Sequence, residues 1–144
     1  MYTPQLVING NTEMVGSDEL KIRKVITKVL TTETSTELLI QSKQADTFLA
    51  LDYQVNKVFE DNRLLIAVIQ KSAKIKVERG ENKGRLLTHV QIVHSLQNES
   101  LNKDGKGSTT VRLPQEFNKP EWEVIAIIQN INTGAISAVT RVNI

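Results

Sequence analysis

At 144 residues the chain has room for about one domain, or one domain with an appendage, and enough apolar side chain to bury a core. Forty per cent hydrophobic and 24% charged residues place it among globular chains, and 4% aromatic residues leave the core to Ile, Leu and Val. A formal charge of +2 with dispersed basic residues offers no phosphate-binding stripe and argues against nucleic acid, while the lack of cysteine excludes thiolate catalysis, Cys-ligated zinc and disulfides within this chain.

The first 30 residues read as a β-β-α unit. "QLVING" is a short apolar run ending in Asn9-Gly10, a hairpin turn signal, and "TEMVG" is the returning strand. Ser17 is the expected N-cap, followed by Asp18 and Glu19 where the helix dipole favours negative charge. Ile22, Val25, Ile26, Val29 and Leu30 then fall on one stripe of an amphipathic helix, with Lys21, Arg23, Lys24 and Lys28 on the other faces. A hairpin with one helix buries too little surface to stand alone. Its stripe must pack on the rest of the chain, pair with a second copy as a homodimer, or stay partly disordered.

"TTETST" is polar and without periodicity, and residues 31–35 read as a linker. Beyond it, residues 36–144 show about eight strand candidates. "ELLIQS" and "TFLALDYQV" come first; "RLLIAVIQ" is an apolar run of the kind found in a doubly buried strand. "AKIKVE" alternates strictly, with Ile75 and Val77 expected inward. "LLTHVQIVHSL" follows, then a polar loop over residues 102–107, then "STTVRL". "EWEVIAIIQN" and "AISAVTRVNI" close the chain as a hairpin around Asn132-Thr133-Gly134, with Trp122 expected in the core. Short strands punctuated by turn signals imply a mainly β fold, an antiparallel sandwich of immunoglobulin-like or jelly-roll-like type. Apolar runs fall far short of the roughly 20 residues of a spanning helix, and no basic-then-apolar leader is present in the sequence given.

The chemistry-bearing residues concentrate in "VERGENKGRLLTHVQIVH", Val77 to His94. The plain reading is a hairpin loop in which Gly80 and Gly84 supply positive φ and Asn82 bonds local backbone. The functional reading is a polar cluster of Arg79, Glu81, Asn82, Arg85 and His89 that holds a small anion or polar ligand, arginine offering bidentate geometry to a carboxylate. The spacing does not fit a phosphate-binding P-loop. His89 and His94, five apart on one strand, point to opposite faces and so cannot share a metal without a bulge. No G-x-S-x-G elbow marks a nucleophile. Asp46, Asp52, Asp61 and Asp104 are expected at strand ends or in loops. No metal site, cofactor or catalytic residue is assigned on these grounds, and the chain as given reads as a non-enzyme.

Two stretches, "YTPQLVINGNTEMVGSD" and "RGENKGRLLTHVQIV", together resemble the secreted thioredoxin-like proteins grouped as domain of unknown function 1223, and the likeness continues into "IAIIQN...GAISAVTRV". The resemblance is to a C-terminal portion of that family only. It implies an exported, periplasmic or secreted bacterial protein in which a thioredoxin-like domain precedes a β-sandwich. Residues 1–30 then match the last two strands and helix of the first domain, Thr3-Pro4 takes the thioredoxin cis-proline position beside a substrate groove, and the half bearing the redox cysteines is not part of this chain. Met1 stands where the family has an ordinary residue, which suggests a shortened form. His94 stands where the family commonly has arginine, and "QNESLNKDGKG" replaces an expected tryptophan segment. The resemblance thus implies a non-catalytic accessory module binding an unknown protein or small polar ligand, or else part of a thiol-disulfide oxidoreductase. A small-anion hydrolase or ligand site on Arg79, Glu81, Arg85 and His89 is a weaker third reading.

Overall fold

The computed structural model describes residues 2–144, so Met1 and the reading attached to it lie outside the described residues. Two short strands, β1 (Gln5–Ile8) and β2 (Thr12–Val15), form a hairpin that leads into helix α1 (Glu19–Thr31). The Asn9-Gly10 turn has both residues at positive φ, 49° and 78°, as the sequence pair suggests. The Thr3–Pro4 peptide bond is cis. The helix is capped by Asp18 rather than Ser17: the Asp18 carboxylate accepts from the Lys21 amide at 3.1 Å, combining cap and favourable charge in one group. Met14 is buried in this unit, and Ile22, Val25 and Val29 are half-buried. Ile26 and Leu30, expected on the same stripe, are exposed.

Seven strands follow, all paired antiparallel: β3 (Leu38–Ala45), β4 (Phe48–Val55), β5 (Asn62–Lys76), β6 (Leu86–Ser100), β7 (Lys106–Arg112), β8 (Trp122–Asn130) and β9 (Ile136–Arg141). They form two sheets, of order β3-β4-β7 and β6-β5-β8-β9. One core lies between them. Leu38, Leu49, Leu51, Tyr53, Val55 and Val111 come from the first sheet, and Leu64, Ile66, Val68, Trp122, Val124, Ala126 and Ile128 from the second. Trp122 is buried there as expected.

Polar bonds stitch both open edges of the pair of sheets. On one side Gln97 Nε2 of β6 donates to Thr109 Oγ1 and to the Thr110 carbonyl of β7 at 3.0 and 3.1 Å, while Thr109 Oγ1 donates to Glu99 Oε1 at 2.8 Å. On the other, Thr140 Oγ1 of β9 donates to the Leu38 carbonyl of β3 at 2.9 Å, and Ser42 bonds the Asn143 carbonyl.

The strand count differs from the sequence reading. "RLLIAVIQ" and "AKIKVE" are one continuous 15-residue strand, β5, because only Lys71-Ser72 separates them and neither residue breaks extended backbone. Ile75 does not point into a core, since the sandwich ends before it; it is half exposed. Asp52 is also not a turn residue. It sits inside β4 and accepts from Ser108.

The β-β-α unit is docked on the sandwich by backbone. The Ile136 amide donates to the Asn9 carbonyl at 2.9 Å, joining the first turn to the last. Gly10 and Gly134 meet there, both at φ +78°, and a Cβ on either would run into the other's carbonyl oxygen. The connecting segment is also tied down. Thr34 Oγ1 donates to the Ser137 carbonyl at 2.8 Å, and Asn56 brackets the start of β3 by bonding the Ser35 carbonyl and the Glu37 amide.

Candidate functional site

The stretch that the sequence singles out lies on an arm. β8 ends its pairing with β5 at Gln70–Trp122, and one further bond, Lys71 amide to Glu121 carbonyl at 2.8 Å, closes that ladder. Pro120 and the turn before it carry the neighbouring chain away. From Ser72 onward β5 pairs with β6 alone, in the register Ser72–Val90, Ala73–His89, Lys74–Thr88, Ile75–Leu87 and Lys76–Leu86. The result is a two-stranded ribbon that extends beyond the core, with nearly every residue exposed.

Two irregularities mark where the ribbon leaves the sheet. Gln91 takes φ 52°, and His94 is an extra residue between the pairs Val68–Ser95 and Ile69–Val93. Freed from the ladder, the His94 ring stands edge-on to Trp122, centroids 5.3 Å apart at 79°. His89 sits opposite Ala73, further out on the arm. Among the described residues no group of three or more His, Cys, Asp or Glu side chains converges to hold a metal.

The tip, Val77 to Arg85, is a hydrogen-bonded loop. The Val77 amide donates to the Arg85 carbonyl at 2.9 Å and the Gly84 amide to the Val77 carbonyl at 2.8 Å. Within it, Lys83 and Arg85 amides donate to the Gly80 and Asn82 carbonyls, at 3.0 Å each. Gly80 and Gly84 have φ of 87° and 83°, the conformation expected of them. Asn82 was expected to bond backbone. Its Oδ1 instead accepts from Arg85 Nη1 at 3.3 Å, because the turn bonds are already made by main-chain carbonyls. That contact brings Asn82 and Arg85 together. Arg79, Glu81 and His89 are exposed on the same arm, and among the described residues no ion pair joins them to each other or to Arg85. A Cβ on Gly80 or Gly84 would meet nothing within 4 Å, so the tip is an open surface, not a cleft.

At the base of the arm is a feature that the sequence did not disclose. Glu123 is 5% exposed, and Arg141 Nε lies 3.0 Å from its Oε2 without a well-aligned hydrogen bond. Trp122 and Lys71 flank it in a small depression. Lys71 Nζ turns to the Lys119 and Pro120 carbonyls, 3.3 Å from each. Glu123 is one charged residue in a largely apolar strand, and only the fold brings Arg141 across from β9. The other depressions lie away from the arm, on the outer face of β3-β4-β7 around Asp52 and Ser108, near Phe59 and Arg63, and where Val29 and Leu30 meet Ile136 to Val139.

The family profile described as protein of unknown function DUF1223 matches residues 1–129. The chain belongs to the DUF1223 family. The match starts at residue 1, which overturns the expectation of a C-terminal portion only: the β-β-α segment of this DUF1223 chain is matched along with the sandwich. It stops within β8, so β9 lies beyond it. No curated protein matches. Among solved structures, a protein of Agrobacterium tumefaciens aligns with TM-score 0.61 and 16% identity over 98% of this chain. The chain spans 61% of that protein's length. A domain of the outer membrane lipoprotein Omp28 from Porphyromonas gingivalis aligns with TM-score 0.49 and 11% identity, over 78% of this chain and 90% of that one.

Proposed function

We propose that this DUF1223 chain is a non-catalytic accessory module of an exported protein, an immunoglobulin-like β-sandwich that makes contact through its arm. The observation that carries this reading is the arm itself: a ribbon with apolar side chains and a charged, glycine-bracketed tip held clear of the core. The strand order supports the immunoglobulin-like type. Counted from β3, the sheets are first-second-fifth and fourth-third-sixth-seventh, the immunoglobulin order with the fourth strand moved to the other sheet. A jelly roll uses eight strands. Export rests on the family resemblance alone; no helix among the described residues is long and apolar enough to cross a membrane.

An open tip suits a protein partner better than a small ligand, which binds in a concave site. A thermal-shift titration with citrate and with phosphate tests this. Neither anion is expected to raise the melting midpoint. A rise in the parent protein that Arg79→Ala or Arg85→Ala abolishes would replace this reading with a small-anion site on Arg79, Glu81, Asn82, Arg85 and His89.

A second reading has its own observation. Val7 and Val15 on one face of β1-β2, with Leu20, Ile26 and Leu30 of α1, are exposed apolar residues in an α/β unit. That suits packing against further α/β polypeptide, as in a thiol-disulfide oxidoreductase whose cysteines lie outside this chain and whose groove Pro4 would border. The coding sequence upstream of codon 1 decides between them: an in-frame Cys-x-x-Cys supports the oxidoreductase, and its absence defeats it.

A further inference from the structure

The outer face of the four-stranded sheet and one face of the arm form a largely apolar stripe, interrupted by Lys71 and, beside Ile69 and Ile125, by the Glu123–Arg141 ion pair. Alternation along β5 turns Leu64, Ile66 and Val68 to the core, and hence Leu65, Ala67 and Ile69 away from it. Beside these in register stand Leu96 and Val93 of β6, Ile127 and Ile125 of β8, and Val139 of β9 opposite Ile127. The same row of β5 continues up the arm as Ala73, Ile75 and Val77, with His89 and Leu87 across from the first two. Ile75, Leu87, Val93, Leu96 and Val139 are exposed, whereas Ala67 and Ile69 are already buried among their neighbours, at 3% and 7% exposure. From Leu65 to Val77 the stripe is about 40 Å long at ~3.3 Å per residue. Lys71 is its midpoint and also marks where sandwich becomes arm.

We propose that a second copy of this chain covers the stripe, related by a twofold axis near Lys71, so that each arm lies over the other copy's outer sheet face. A twofold interface needs one surface complementary to itself. A stripe that is equally long on both sides of Lys71, with exposed apolar side chains on each (Ile75 and Leu87 on the arm, Val93, Leu96 and Val139 on the sheet), can meet itself in this way. Residues paired across the axis have numbers summing to 2 × 71 = 142, so Ile75 lies over Ala67 and Val77 over Leu65. Beyond Val77 the chain folds back as a hydrogen-bonded loop, so strand register ends there and the tip falls near the loop before β5. Charge agrees with that landing. The tip, residues 78–85, has three cations (Arg79, Lys83, Arg85) and two carboxylates, whereas residues 59–63 have two carboxylates (Glu60, Asp61) and one cation. The two Lys71 ammonium groups do not collide at the axis, since each is turned to the Lys119 and Pro120 carbonyls. Because the arm is two strands wide, a patch about 40 Å long at ~4.8 Å per strand buries roughly 400 Å² on each copy, the size of a weak, reversible contact rather than of a standard interface of ~800 Å² per partner.

The inference deepens the reading of the arm as a contact element and names its partner; it uses a different surface from the β-β-α pairing suggested by the sequence. Sedimentation equilibrium of the full chain, across concentrations that bracket a micromolar Kd, is expected to show a reversible dimer. Ile75→Lys on the arm and Val139→Lys on the sheet should each weaken it about tenfold or more. Both side chains are on the surface, so circular dichroism should report an unchanged fold. Glu60→Lys should weaken the dimer as well. Because the chain has no cysteine of its own, Lys71→Cys treated with a bis-maleimide linker about 10 Å long should give a covalently linked dimer across sheets stacked face to face, and Leu39→Cys, exposed on the opposite sheet, should not. A monomer at every concentration overturns the second copy as occupant while leaving the arm open to a different protein. A dimer indifferent to Ile75→Lys and Val139→Lys forms elsewhere and overturns the inference. Equal cross-linking of Lys71→Cys and Leu39→Cys overturns the twofold placement. The citrate titration reads the module proposal independently of all three.

Discussion

β5 runs through two environments. Its first half, Asn62 to Gln70, lies between β6 and β8 and sends Leu64, Ile66 and Val68 into the core with no exposed surface. Its second half, Ser72 to Lys76, has only β6 for a neighbour, and Ile75 there is 50% exposed. The two halves share β-branched and long-chain residues, so local propensity does not separate them. What separates them is the length of the neighbouring strands. β8 is nine residues long and β5 is 15, so the longer strand must outrun its cover. The same apolar side chain is thus core in one half and contact surface in the other.

The largest effect expected from this comparison comes from truncating equivalent residues in the two halves. Ile66→Ala should cost roughly 2–5 kcal/mol in urea denaturation, through lost transfer energy and a cavity. A loss no larger than that of an exposed site would mean the core has been placed wrongly. Next comes the joint between the β-β-α unit and the sandwich. Gly134→Ala puts a methyl group at positive φ against Gly10, and should cost about 1–3 kcal/mol. It should also speed amide exchange in β1 and β2 more than in β5, and uniform acceleration would show that the two parts do not come apart there. Smaller is Gln97→Ala, which removes the bonds from β6 to Thr109 and Thr110 and should cost about 1–2 kcal/mol. The midpoint in urea should fall while its slope stays constant. The smallest effect is on the arm. At dilutions where a single copy is present, Ile75→Ala and Arg85→Ala should each change stability by no more than about 0.5 kcal/mol. A drop comparable to that of Ile66→Ala would show that the arm is packed on its own molecule.

Much of the local structure was legible in the sequence. Asn9-Gly10 placed the first hairpin, the 3.6-residue spacing placed the helix, and Gly80 and Gly84 placed the tip loop with the right backbone sign. These signals are local: each depends on the conformational preference of one or two residues or on a short period. The larger misreadings have one origin, whereas the N-cap, Asp18 in place of Ser17, was missed locally by one residue. Ile75 and Val77 alternate with lysine and glutamate as a core strand does, but alternation records only that two faces differ, not what lies against either. His94 likewise gave no warning of a bulge, because an extra residue in a ladder is defined by the partner strand. Glu123 could not be matched with Arg141 until β8 and β9 were paired. The candidate site shows the same division. The sequence named Arg79, Glu81, Asn82, Arg85 and His89 as one cluster, and the fold places all five on the arm while joining only Asn82 to Arg85.

By itself, then, the sequence determined the β-β-α order of the first segment, the mainly β character of the rest, the main turns and the family, because these follow from residue preference, short-range periodicity and motif. The tertiary structure alone decided which apolar residues are core, where β5 leaves the sandwich, and that Gly10 meets Gly134. Burial, sheet order and close approach are relations between segments far apart in the chain, and they exist only once all the strands have found their neighbours.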